Sequence, residues 1–236
     1  MQPGRHATVR FLTGWRPAAP AGKGHLSGTL EPMTRLLLVR HGHVEGIEPE
    51  RFRGRENVPL TALGRQQARS AAAFIAAKWQ PLVVYTSPLQ RCVQTGQEIA
   101  SACAIVPHVL DGLNDIHYGL WQWKTKAEVQ THWPELLQRW LTAPQLVRFP
   151  EGESLQDLSA RVADVLRMLL ERHAGDTVVL VGHYSGIRAL LLAGLDQPLS
   201  AYWRLTHDPG AVSELDLTNS GLQVMRLNQA PPDGHS

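Results

Sequence analysis

A chain of 236 residues that is 43% hydrophobic can bury one substantial core, and its length does not require a second domain. A formal net charge of +2 creates no strong basic field, so the composition predicts neither nucleic acid nor a membrane surface as a partner. The longest apolar runs, such as TVVLV and ALLLAGL, are far too short to span a bilayer, and two cysteines, Cys92 and Cys103, cannot build a disulfide framework but suit a reducing cytoplasm.

Residues 1–32 are rich in Gly, Pro and Ala, show no periodicity and lack the apolar stretch of a secretory signal. They read as a disordered or non-native leader, with Met33 as the natural start, followed by one domain over 33–228 and a flexible tail over 229–236. The GKG within the leader lacks the rest of a P-loop frame. Arg35–Val39 reads as a buried strand, and a polar loop bearing Gly and Arg follows it. Thr61 opens a helix of small and apolar residues at helical spacing. PLVVYTS is a second strand; Ser87 is expected to cap the next helix, with Pro88 in its first turn. AIVPHVL is a weaker strand that Pro107 assigns to a sheet edge.

Asp111–Thr125 reads as a loop, and a helical insert runs from there to about Trp140. The clearest helix has Ser154 as its cap, Leu155, Leu158, Val162, Val165 and Leu169 as its apolar stripe, and Gly175 as its stop. TVVLVGH is a fully apolar strand, YSGIRALLLAGL the helix after it, and AVSELDLTNSGLQVMRLN a closing hairpin that turns at TNSG. Strands alternating with helices predict a three-layer α/β/α sandwich around a mostly parallel sheet.

Ligands of such sheets bind at the carboxyl ends of the strands. Three ends carry similar groups: Arg40-His41-Gly42, then Ser87-Pro88 with Arg91 a turn later, then Gly182-His183. Two guanidiniums, two imidazoles and two helix N-termini at one edge suit a phosphate, since guanidinium forks and helix amides both favour anions. An imidazole among phosphate binders can attack phosphorus, and neighbouring cations keep its lone pair free. The leaving oxygen needs a proton donor, for which Asp115 in LNDIHYG is the candidate.

With LLLVRHG, TSPLQRCVQT, LNDIHYGLWQW, GESLQDLSARV and LVGHYSGIRALL in order from about Thr34 to Asn228, the chain resembles the histidine phosphatase superfamily in its phosphoglycerate-mutase-like branch. The resemblance implies the sandwich fold and a metal-independent phosphomonoesterase without a cofactor, acting on a small-molecule phosphate ester. It implies His41 as the transiently phosphorylated nucleophile, a phosphate pocket of Arg40, Arg91 and His183, and Asp115 as general acid where the family usually has Glu. Arg53 falls at a position that lines the substrate entrance. Where family members read R-H-G-E-[ST] with Asn seven residues after the Arg, this chain has His43 and Ile47, and Tyr184 follows His183 where Gly or an acid is usual.

Other readings fit less well. A mutase resembles this chain but carries a longer insertion than the Trp-bearing segment here, whose tryptophans are expected to cover the pocket. A binding protein without turnover is suggested by the missing Asn and the shorter acid. GHYSG departs from the hydrolase elbow because Tyr184 stands where Ser is needed and Ser185 comes one place late. His41-x-His43 is a weak metal signal with nothing to complete it. Neither cysteine begins a C-x5-R loop, since Glu98 and Val109 stand where the Arg would be.

Overall fold

The computed structural model describes residues 33–232, so the expectation for the leader lies outside the described residues, as do the last four positions of the tail. Six strands form one sheet in the order β3-β2-β4-β1-β5-β6. They are β1 (Thr34–Arg40), β2 (Val83–Thr86), β3 (Pro107–Val109), β4 (Thr177–Gly182), β5 (Val212–Thr218) and β6 (Gly221–Gln229). β1 to β4 are mutually parallel, and β5 and β6 close the sheet as an antiparallel hairpin that turns between Thr218 and Gly221. β3 is the edge strand that Pro107 foretold: without an N–H, proline fits where one side of the ladder has no neighbour.

Alternation along β1 and β4 builds the two faces. Leu36, Leu38, Val178 and Leu180 point into one core, against α5 (Leu155–Arg172) and α6 (Tyr184–Gly194). Leu37, Val39, Val179 and Val181 point into the other, against α1 (Ala62–Lys78) and α2 (Gln90–Ala102). The three-layer sandwich is therefore present. α5 buries the stripe read from its sequence, and Ser154 caps it: the Ser154 side chain accepts from the Asp157 amide at 3.3 Å while the Asp157 carboxylate accepts from the Ser154 amide at 2.8 Å.

One capping assignment is corrected. α2 begins at Gln90 with Leu89 as its N-cap, so neither Ser87 nor Pro88 belongs to the helix. The chain bends at Pro88 and Leu89 before the helix begins, and the Ser87 hydroxyl takes a partner at the site. The insert is two short helices, α3 (Lys126–His132) and α4 (Pro134–Thr142). The expectation that the tryptophans of 121–140 cover the pocket is corrected: Trp121, in the turn before α3, and Trp140 are buried edge-on against Phe149, and of Trp121, Trp123, Trp133 and Trp140 only Trp140 reaches the cavity described below.

β1 meets α1 through two glycines. A Cβ on Gly42 would lie 2.2 Å from the Gly64 carbonyl oxygen, and one on Gly64 would lie 2.0 Å from that of His43. Both contacts are with backbone, which cannot swing aside. Gly42→Ala or Gly64→Ala is expected to cost about 3 kcal/mol, at the upper end for overpacking, read as a lower urea midpoint with an unchanged slope.

Candidate active site

Register decides what meets at the sheet edge. Arg40 pairs with Gly182 across β1 and β4, and Thr86 pairs with Val181 across β2 and β4. The amides just beyond continue the ladder: His41 donates to the Gly182 carbonyl at 3.1 Å and Ser87 to that of Val181 at 3.0 Å. His41, Ser87 and His183 therefore leave the sheet side by side, and α2 adds Arg91 one step behind them.

His41 is buried. Its Nδ1 lies 2.7 Å from the Gly42 carbonyl oxygen, which can only accept, so Nδ1 carries the proton and Nε2 keeps its lone pair. Its ring is 5.3 Å from that of His183. Burial, then the neighbouring Arg91, His183 and Arg40, hold the His41 pKa well below the ordinary histidine value, so the ring is neutral at physiological pH.

Arg91 is fully buried and fixed by every nitrogen of its fork. Nη1 donates to the Glu56 carbonyl at 2.6 Å, and Nη2 donates to that of Gly54 at 2.7 Å and to Asp115 Oδ2 at 3.2 Å. Nε donates to His183 Nδ1 at 3.2 Å. That bond makes Nδ1 an acceptor, so the His183 proton sits on Nε2 and is given to Ser87 Oγ at 2.7 Å. Burial and the surrounding guanidiniums, Arg91 foremost, push the His183 pKa well down. Both His183 nitrogens are thus engaged in orienting Arg91 and Ser87. Cys92 packs against the same ring, and burial raises its thiol to about 12, which keeps it protonated and inert.

Asp115 reaches the site from the loop after β3. Its Oδ1 accepts from the Ile116 amide at 2.9 Å and from the Ser185 hydroxyl. Its own carbonyl accepts from Arg55 Nε at 3.3 Å and Arg161 Nη2 at 3.4 Å, and both arginines also bind Glu153, at 2.7 Å and 3.0 Å. Arg40 donates to the His207 carbonyl at 2.6 Å, and its Nε has no partner among the described residues. Burial, then Arg53, lower its pKa to about 10, so it remains a cation at neutral pH.

A cavity of about 170 Å³ opens over these groups. His41, Asp115, Arg53 and Tyr184 line it, whereas Arg40, Arg91 and His183 stand behind its walls. All seven residues singled out in the sequence thus gather at this edge, in two shells. Ser185, Arg188 and the clamp of Arg55, Glu153 and Arg161 were missed. The signal for Ser185 and Arg188 was their place in the first turns of a helix leaving a strand end; Glu153 and Arg161 lie together in GESLQDLSARV, but Arg55, 98 residues before Glu153, gives no local sign that it joins them. His43 does not face the cavity; it bonds Thr61 Oγ1 at 2.9 Å, and among the described residues no three His, Cys, Asp or Glu side chains gather as a metal site.

A family model described as histidine phosphatase superfamily (branch 1) matches residues 36–230. The chain belongs to this superfamily. A bifunctional protein of Mycobacterium tuberculosis is 35% identical over 194 residues, covering 82% of this chain and 53% of that protein. The chain thus spans about half the length of the first curated relatives it matches. Phosphoserine phosphatase 1 of Hydrogenobacter thermophilus is 32% identical over 196 residues, 83% of this chain and 92% of that enzyme. Among solved structures, a mycobacterial glucosyl-3-phosphoglycerate phosphatase in complex with VO3 superposes with a TM-score of 0.74 at 27% identity, covering 82% of this chain and 98% of that one.

The buried histidines predict acid sensitivity. His41, His183 and His207, the last with a pKa of about 4 through burial, are all depressed when folded relative to 6.5 when unfolded. Below 6.5 the unfolded chain therefore binds more protons, and stability falls as pH drops towards the folded values. Each group costs about 1.4 kcal/mol per pH unit across that window. Urea midpoints should fall steeply between about pH 7 and pH 5; a flat profile there would contradict the neutral, buried assignment.

Proposed function

We propose that the protein is a metal-independent phosphomonoesterase that works through a phosphohistidine on His41, in the cytoplasm, on a small phosphorylated metabolite. The observation that carries this reading is the tautomer of His41: Nδ1 is committed to the Gly42 carbonyl, and Nε2 is left as a nucleophile on a cavity wall shared with Asp115. The phosphatases among its relatives support it, and the two unpaired cysteines, one of them buried, suit a reducing compartment.

In this reading Nε2 of His41 attacks phosphorus and the bond to the ester oxygen breaks. Asp115 delivers a proton to the departing oxygen. The phosphorylated ring becomes cationic, and its Nδ1–H bond to Gly42 stabilises that charge. Water then attacks phosphorus, Asp115 takes the water proton, and the bond to Nε2 breaks to release phosphate. Arg40, held by the His207 carbonyl, and Arg91, oriented by His183, supply the positive field for the transferring group. Arg53 and Tyr184 flank the substrate body.

The test is phosphate release from a panel of phosphomonoesters with EDTA present, with and without vanadate. Wild-type release should resist EDTA and be blocked by vanadate, and His41→Ala should lose about three orders of magnitude or more. Near-wild-type activity in that variant would sink the nucleophile assignment. Asp115→Asn should slow esters of aliphatic alcohols by about a hundredfold or more, and nitrophenyl phosphate far less, because a good leaving group needs no acid. Equal slowing of both would remove Asp115 from the donor role.

A further inference from the structure

We infer that Arg188 is a second anion-binding point in the cavity and selects phosphate esters that carry another acidic group, a carboxylate or a second phosphate. The inference rests on the phosphatase reading above and names the substrate class of the same site.

Arg188 lies on α6, five residues after His183, and is 3% exposed. Its Nε donates to the Leu205 carbonyl at 2.7 Å and its Nη2 to the Tyr184 hydroxyl. Its Nη1 is buried and has no hydrogen-bond partner among the described residues. No carboxylate among them pairs with it. Three aromatic rings surround the guanidinium instead, with centroids at 3.6 Å for Tyr184, 4.9 Å for Tyr202 and 4.8 Å for Trp203. Ring faces attract a cation and hold it flat, which offsets part of its desolvation, but they leave an N–H in the guanidinium plane unused. A buried guanidinium with a spare donor on a cavity wall is matched to an oxyanion.

Tyr184 sets the spacing. Its ring also carries Arg40, whose central carbon lies 4.6 Å from the centroid. One ring therefore touches the guanidinium beside the nucleophile and the guanidinium that faces the substrate body. An ester with its phosphoryl group at His41 can place an acid a few atoms away at Arg188. The wider lining agrees: Arg51, Arg53, Lys126 and Arg188 are basic, against Glu50 and Asp115. The small volume suits a compact acid better than a nucleotide.

The test compares phosphoglyceric acid, propanediol bisphosphate and glycerol phosphate, which are similar in size and differ in the second charge. Wild type should favour one of the two acidic esters over glycerol phosphate by about tenfold or more in kcat/KM, and the preferred one tells carboxylate from phosphate. Arg188→Met should cut that ratio about tenfold, mainly through KM, and Arg188→Lys should restore part of it. A ratio unmoved by Arg188→Met overturns the inference. Should that variant not fold, as judged by circular dichroism, wild type decides: parity between acidic and neutral esters overturns it. Should wild type release no phosphate from any ester, the phosphatase reading fails, and calorimetric binding of the same three compounds to wild type tests Arg188 by the same ratio.

Discussion

Arg91 is the tie on which the site depends. A guanidinium with no exposed surface must place its donors on acceptors or cost several kcal/mol, and this one uses three separate segments to do so. It holds the loop after β1 through Gly54 and Glu56, the loop after β3 through Asp115, and the end of β4 through His183. The first two of these segments are irregular chain that could not fix its own position. The sheet supplies a rigid edge, and Arg91 draws the irregular chain onto it.

Around that tie the charges are sorted by role. Histidines are kept neutral by burial beside cations, so His41 offers a lone pair and His183 can accept from Arg91. Arginines keep their charge at neutral pH even where burial works against it, as for Arg40. The result is a positive field around a neutral imidazole, an environment that favours a bound or developing anion. Asp115 is held from two sides, its carboxylate by Ser185, Ile116 and Arg91, its backbone by the Arg55–Glu153–Arg161 clamp. The clamp fixes the backbone from which the Asp115 side chain enters the cavity.

Ile47 and His43 show how a departure from the usual family pattern is absorbed. Ile47 packs with Val44, Leu60 and Ala68 in a small apolar cluster at the foot of α1. His43 bonds the capping Thr61. Both residues lie at the join between the β1 loop and α1.

The sequence by itself determined the sandwich, because period-two and period-3.6 patterns are local and strong in β1, β4, α5 and α6. It also determined that His41, Arg91 and His183 would meet, because parallel strands must deliver their carboxyl ends to one edge. Only tertiary structure decided the tautomer of His41, the part His183 plays in orienting Arg91, and the start of α2 past Ser87. Each depends on a partner distant in the chain: His183 and Ser87 are 96 residues apart, and Arg55 and Glu153 are 98. Arg188 was hidden for the same reason. On sequence alone it is a cation in an apolar helix, and only the packing of Tyr184, Tyr202 and Trp203 around it leaves one of its nitrogens with nothing to bind.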